Sequence, residues 1–203
     1  MIQYWLGNQL KQPNGLLSKW VGIYMQRGNE AINRWTIDLL DIQAHDQLLE
    51  IGIGNGSTLH RIASNNKVRK IVGVDLSADM IKEAKKLNKH YIENGIVELQ
   101  KGNVLSLPYK DAAFNKVFTI HTLYFWTDIN KGFSEIHRVL EPGGILFLSI
   151  TDPLQMQKMK RTKNFHLIIP KQIEELLTKH RFKAITIHQR GIYWCIEATK
   201  AAD

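Results

Sequence analysis

Glu50-Ile51-Gly52-Ile53-Gly54-Asn55-Gly56 sets an acid two residues before three alternating glycines. A strand that ends in such glycines lets its backbone approach a ligand closely. It also aims amide donors at that ligand from the start of a helix. Asp75 closes the next apolar run, 19 residues after Gly56. A carboxylate there can accept hydrogen bonds from both hydroxyls of a ribose. Taken in the order strand, turn, helix, strand, acid, these residues indicate a nucleoside-containing cofactor.

A second group stands further on. His121-Thr122-Leu123-Tyr124-Phe125-Trp126 follows the expected fourth strand, and ligands of open α/β sheets lie beyond the carboxyl ends of the strands. The run supplies an imidazole able to titrate near neutrality and three aromatic rings. His121 and Tyr124 are the candidate catalytic groups, and a backbone or cofactor contact is the competing role for His121. Trp126, like Tyr24 in the N-terminal part, is a candidate for stacking on a planar or cationic substrate. Core packing is the alternative for both.

The elements that must position these residues alternate. Two helical patterns come first, Leu17-Trp20-Val21-Tyr24 and, after Gly28, Ile32-Trp35-Leu39-Leu40. Residues 47–51 and 70–75 read as strands, the second apolar enough to be buried on both faces of a parallel sheet. Ser77 is the expected N-cap of the next helix. Residues 96–100, 116–120 and 145–150 read as further strands, the last entered through a turn at Glu141-Pro142-Gly143-Gly144. Thr127 or Asp128 caps a helix before that turn, and Pro170 opens another. The last strands, 183–188 and 193–199, meet at Gly191 with no helix between them. The pattern predicts a doubly wound, mostly parallel seven-stranded α/β sheet with helices on both faces and an antiparallel hairpin at its C-terminal edge. The expected division is an N-terminal helical lid over residues 1–45 and a core over 46–203 with a basic insertion at 151–169.

Composition narrows the class. The chain has 203 residues, 44% hydrophobic and 23% charged, which suits one globular domain. No apolar run approaches a membrane span, and the first residues lack a secretory pattern. The single cysteine, Cys195, excludes an internal disulfide and a cysteine-based zinc site. A reducing, cytoplasmic setting is expected, and no metal ligand cluster is visible. The net charge is +8, and residues 151–203 carry ten basic groups against five acidic ones. Lys158, Lys160, Arg161 and Lys163 form the densest patch. It suits an acidic substrate, a peripheral membrane contact or a solvated face.

The glycine spacing here is G-x-G-x-G, not the G-x-G-x-x-G of dinucleotide enzymes. The stretch resembles the first motif of the class I S-adenosylmethionine-dependent methyltransferases. The resemblance continues through VGVDLSADMIKEAK (72–85), GNVLSLPYKDAAFNKVF (102–118) and HRVLEPGGILFLS (137–149). It is closest to the small-molecule branch that includes quinone-biosynthesis enzymes. It implies S-adenosylmethionine as cofactor, with Glu50 and the loop of Gly52, Gly54 and Gly56 around its methionine part. It further implies Asp75 on the ribose, Leu76 and Met80 flanking the adenine, and Asn103 and Val104 at the adenine edge. Asn103 stands where the family commonly has Asp, yet its carbonyl still offers an acceptor. Asn115 replaces another frequent Asp, with an expected structural role. The reversed edge hairpin also fits this family.

Methyl transfer is an in-line displacement on a sulfonium, so the protein mainly positions the acceptor and excludes water. The expected function is transfer of a methyl group to a small molecule, with no nucleic-acid partner. An RNA or protein methyltransferase is the alternative. Against it, His121-Thr122-Leu123-Tyr124 stands where amino-directed nucleic-acid enzymes usually carry an Asn/Asp-Pro-Pro-Tyr segment. A nicotinamide oxidoreductase and a non-catalytic nucleoside-binding protein follow. The accepting atom and the oligomeric state are open.

Overall fold

The computed structural model describes residues 18–65 and 68–202, with side chains from residue 28 on, position 161 apart. Helix α1 (Ser18–Leu39) leads into β1 (Gln47–Ile51), α2 (Ser57–Asn65), β2 (Lys70–Asp75), α3 (Ala78–Leu87) and the short α4 (Lys89–Glu93). Then come β3 (Val97–Lys101), β4 (Phe114–Ile120), α5 (Ile129–Val139), β5 (Leu140–Thr151) and α6 (Pro153–Gln157). Helix α7 (Pro170–Lys179) and strands β6 (Phe182–Arg190) and β7 (Tyr193–Lys200) follow.

The seven strands form one sheet in the order β3-β2-β1-β4-β5-β7-β6. The first five run parallel. Strand β7 is antiparallel to both β5 and β6, so the expected edge hairpin is present with its second strand on the inside. The order reverses between β1 and β4. That switch point is where an open α/β sheet leaves a crevice.

Alternation along the strands supplies two cores. On one face Leu48, Ile71, Phe118 and Ile120 meet Ile32, Leu59, Ile62 and Ala84 from the first helices. On the other, Leu49, Val72, Val117 and Leu146 meet Phe133, Ile136, Ile173 and Leu177. Among the described residues no helix is long and apolar enough to cross a membrane.

Two sequence expectations change. The two helical patterns around Gly28 are one 22-residue helix. A single helical glycine costs about 1 kcal/mol, which flanking turns can bear. The later half of α1 is built into the core: Ile32 and Thr36 are fully buried, as is Leu40 just after the helix, and the Thr36 hydroxyl lies 2.7 Å from that of Ser149 in β5. Trp20, Tyr24 and Met25, which would form a lid, have side chains outside the described residues. The expected turn at residues 141–144 is instead part of β5. Its pairing with β4 jumps from Phe114↔Leu140 to Lys116↔Ile145, and Gly143 takes φ +78°, so these residues form a bulge inside a continuous strand.

At the end of the sheet away from the crevice, Asp46 accepts hydrogen bonds from Lys116 at 2.8 Å and Asn115 at 2.5 Å. Asn115 also accepts the Gln47 amide at 2.8 Å. The structural role expected for Asn115 is what the fold gives it. The basic segment after β5 packs inward through Met156 and Ile168. Its Phe165 ring sits 4.7 Å from Phe125 and stacks on Tyr124 at 5.9 Å.

Candidate cofactor and active site

Strand β1 ends at Ile51, and the chain turns through Gly52, Gly54 and Gly56, all with φ between +54° and +79°. The Gly52 amide donates to Val74 at 2.7 Å. A Cβ on Gly52 would lie 2.3 Å from the Thr122 methyl, whereas one on Gly54 would meet nothing within 4 Å. Gly52 therefore serves close packing, and Gly54 leaves room in the crevice.

Asp75 ends β2 beside this loop. Its Oδ2 accepts the Gly54 amide at 2.9 Å and its Oδ1 the Ser77 amide at 2.8 Å. Ser77 in turn caps α3, its hydroxyl accepting from the Met80 amide at 3.3 Å. Burial pushes the Asp75 carboxyl's pKa up, against the pull of the backbone amides. Its remaining lone pairs can still accept ribose hydroxyls.

A cavity of about 330 Å³ opens here, lined by Gly52, Gly54, Asp75, Leu76, Met80, Asn103, Val104, His121 and Trp126 among others. Leu76 is exposed and Met80 is buried. Asn103 is exposed, and its Oδ1 accepts the Leu105 amide at 3.0 Å, which folds the loop after β3. Thr122 and Phe125 of the His121–Trp126 run also line the cavity, together with Leu105 and Thr127, to which sequence reasoning assigns no site role. Thr119 donates to the Ile51 carbonyl at 2.9 Å, its hydroxyl meets that of Thr122, and Thr122 accepts the Trp126 indole N–H at 3.2 Å.

His121 sits in the cavity wall with φ +59°. Its ring nitrogens face the Tyr124 hydroxyl at 3.3 Å and the Thr151 hydroxyl at 3.5 Å. Burial pushes its pKa down to about 4, so the ring is neutral at pH 7. Tyr124 stands behind it, buried, with its hydroxyl accepting the Thr151 amide at 2.8 Å. Burial raises the phenol's pKa. Trp126 is buried and packs edge-on against Phe133 at 5.7 Å.

Glu50 lies behind the glycine loop, 3% exposed, and its Oε2 has no hydrogen-bond partner among the described residues. Burial, and then the nearby Asp75, raise its pKa well above the ordinary carboxylate value. It lines a smaller cavity of about 50 Å³ together with Gly52, Gly54 and two residues of α1, Asn29 and Asn33. Among the described residues no cluster of His, Cys, Asp and Glu could hold a metal.

These residues fit S-adenosylmethionine. There is a carboxylate for a ribose, an apolar slot for a purine, open space over Gly54 and, beyond it, a buried carboxyl with one unpartnered oxygen. The sheet topology and this site define a Rossmann-like methyltransferase. A family model described as "Methyltransferase domain" matches residues 49–148. A Bacillus subtilis protein named "Putative methyltransferase YrhH" is 32% identical over 171 residues, covering 84% of this chain and 87% of its own. The 27-O-demethylrifamycin SV methyltransferase of Amycolatopsis mediterranei is 31% identical over 124 residues, 59% of this chain and 45% of its own. Phosphoethanolamine N-methyltransferase 2 of Haemonchus contortus, solved with S-adenosyl-L-methionine, superposes with a TM-score of 0.71 at 19% identity, over 84% of this chain and 52% of that one. The chain belongs to the class I S-adenosylmethionine-dependent methyltransferase family, with S-adenosylmethionine as its cofactor.

Proposed function

We propose that the protein methylates a small, largely uncharged organic acceptor, acting by positioning and by excluding water. One observation carries this reading. Among the described residues that line the main cavity, Asp75 and His121 are the titratable ones, and no lysine or arginine is among them. A groove for a phosphate backbone would need such cations, which favours a small molecule over nucleic acid. The rifamycin-methylating relative supports a small acceptor as well.

When bound, the cofactor supplies a methyl group on a sulfonium that is its own leaving group. Asp75 is assigned to the ribose hydroxyls, Leu76, Met80 and Val104 to the adenine faces, Asn103 to its edge, and Glu50 to the methionine end. His121 is assigned to the cavity wall near the reacting atoms. A conjugate acid pKa of about 4 makes it a weak general base, so orientation is its favoured role. Tyr124 is a positioning residue that holds the His121 ring, and Trp126 bounds the acceptor space. Tyr24 is retained as a substrate contact of a lid formed by the segment before residue 28. The core over residues 46–203 and the basic stretch at 151–169 complete the proposed organisation.

The test is incubation with S-adenosylmethionine and a panel of phenols, quinones and amines, read by mass spectrometry for the gain of one methyl group. Turnover on one chemical class would fix the acceptor. Methylation of added RNA or protein alone would overturn the small-molecule reading.

A further inference from the structure

The smaller cavity continues the larger one, since Gly52, Gly54 and Ile120 line both. Its far wall comes from α1. Asn29 and Asn33 are four residues apart and therefore share one helix face. Both are half-buried. The helix that carries them is fixed by fully buried Ile32 and by the 2.7 Å contact of the Thr36 and Ser149 hydroxyls. Their placement therefore belongs to the folded core.

We propose that Asn29 and Asn33 complete a subsite for the amino-acid end of the cofactor, their amide groups donating to its carboxylate while Glu50 faces its ammonium group. The inference rests on the cofactor reading above and extends it to residues outside the glycine motif. Three observations support it. Glu50 is 3% exposed with Oε2 unpartnered, and a buried carboxyl oxygen left without a donor is costly. A ligand ammonium is the donor that this position lacks. The amino-acid end of S-adenosylmethionine carries a carboxylate beside that ammonium, and side-chain amides offer N–H donors with no charge. Burial and the nearby Asp75 raise the pKa of Glu50, and a cation placed against its carboxyl would favour the charged form.

The experiment compares two nucleosides by calorimetric titration. S-adenosylhomocysteine has the amino-acid end, and 5′-methylthioadenosine lacks it. Asn29→Ala combined with Asn33→Ala is expected to weaken S-adenosylhomocysteine by roughly tenfold or more and to leave 5′-methylthioadenosine within about twofold. Alanine favours the helix, so the variant keeps its fold. Asn33→Asp, of equal size but like charge to the ligand carboxylate, is expected to weaken S-adenosylhomocysteine further than Asn33→Ala. Equal losses for both nucleosides, or unchanged affinity for both, would overturn the subsite. Failure of the unaltered protein to bind either nucleoside would overturn the cofactor reading beneath it.

Discussion

The Gly54 amide donates to Asp75 Oδ2 at 2.9 Å across 21 residues of chain. This bond ties the glycine loop after β1 to the acid that ends β2, at the wall of the main cavity. Asp75 also holds the Ser77 amide at 2.8 Å, so the same carboxylate fixes the start of α3. A single side chain thus shapes the loop and orders the start of the helix beside the cavity, and it is the group proposed to take the ribose hydroxyls.

Asp75→Ala should therefore lose ligand hydrogen bonds and loop order together. S-adenosylhomocysteine affinity is expected to fall on the order of 100-fold, as for two charge-assisted hydrogen bonds. Two backbone amides also lose their partner, at about 1–3 kcal/mol of stability. Isothermal calorimetry and thermal melts read the two effects. A variant that binds normally would show that the ribose lies elsewhere.

Two glycines of one loop should respond differently to the same methyl group. In Gly52→Ala the new Cβ would lie 2.3 Å from Thr122 Cγ2. The clash adds to the cost of φ +79°, and stability should fall by about 2–4 kcal/mol. In Gly54→Ala the Cβ meets no protein atom within 4 Å, so only the left-handed backbone costs, about 1–2 kcal/mol. Its methyl instead enters the space assigned to the cofactor. Nucleoside binding should fall steeply in Gly54→Ala while its melting point stays the higher of the two. The opposite order of melting points would refute the assignment of roles.

The glycine loop, Asp75, the Ser77 cap and the closing hairpin were legible because each is a local signal. Residue type, spacing and turn chemistry carry them. What the sequence hid depends on partners far along the chain. Gly28 looked like a break because its own propensity is poor, but buried Ile32 and Leu40 hold the helix around it. Gly143-Gly144 looked like a turn because bulges and turns use the same residues, and only pairing with β4 separates them. The hydroxyl chain from Ile51 through Thr119 and Thr122 to Trp126 links residues whose types are equally common in plain strands and helices. Phe165 against Tyr124 and Phe125 is likewise a contact between distant segments.

His121 sets an acid limit on stability. Burial lowers its pKa in the folded state from 6.5 to about 4. Between those values the unfolded chain binds the proton and the folded chain does not, so stability should rise with pH across that window and be flat above it. His121→Asn removes the titration and tolerates the positive φ of +59°. Denaturant melts at pH 4.5 and 7.5 should differ less in the variant than in the unaltered protein. For the reaction itself, kcat should show no inflection near 6.5 that His121→Asn abolishes. An inflection there, lost in the variant, would restore His121 as a general base.

Asp46 offers a control that separates folding from function. It is 1% exposed and pairs with Lys116 at 2.8 Å on the side of the sheet opposite the crevice. Burial works to raise its pKa, but hydrogen bonds from Lys116, Gln43 and Asn115 outweigh it, and the net shift is downward. Its contribution is therefore present above the unfolded carboxylate pKa and lost as pH falls through the lower folded value. Asp46→Ala leaves the half-buried Lys116 ammonium without its carboxylate and takes the acceptor from two further donors, the Gln43 amide and the Asn115 side chain, at about 3–5 kcal/mol. Because Asp46 holds no part of the crevice, the folded fraction of the variant should bind S-adenosylhomocysteine with unchanged affinity. Equal stability of the two proteins at pH 7 would show that Lys116 finds other acceptors, for which its 2.9 Å bonds to the Leu40 and Asp41 carbonyls are the ready candidates.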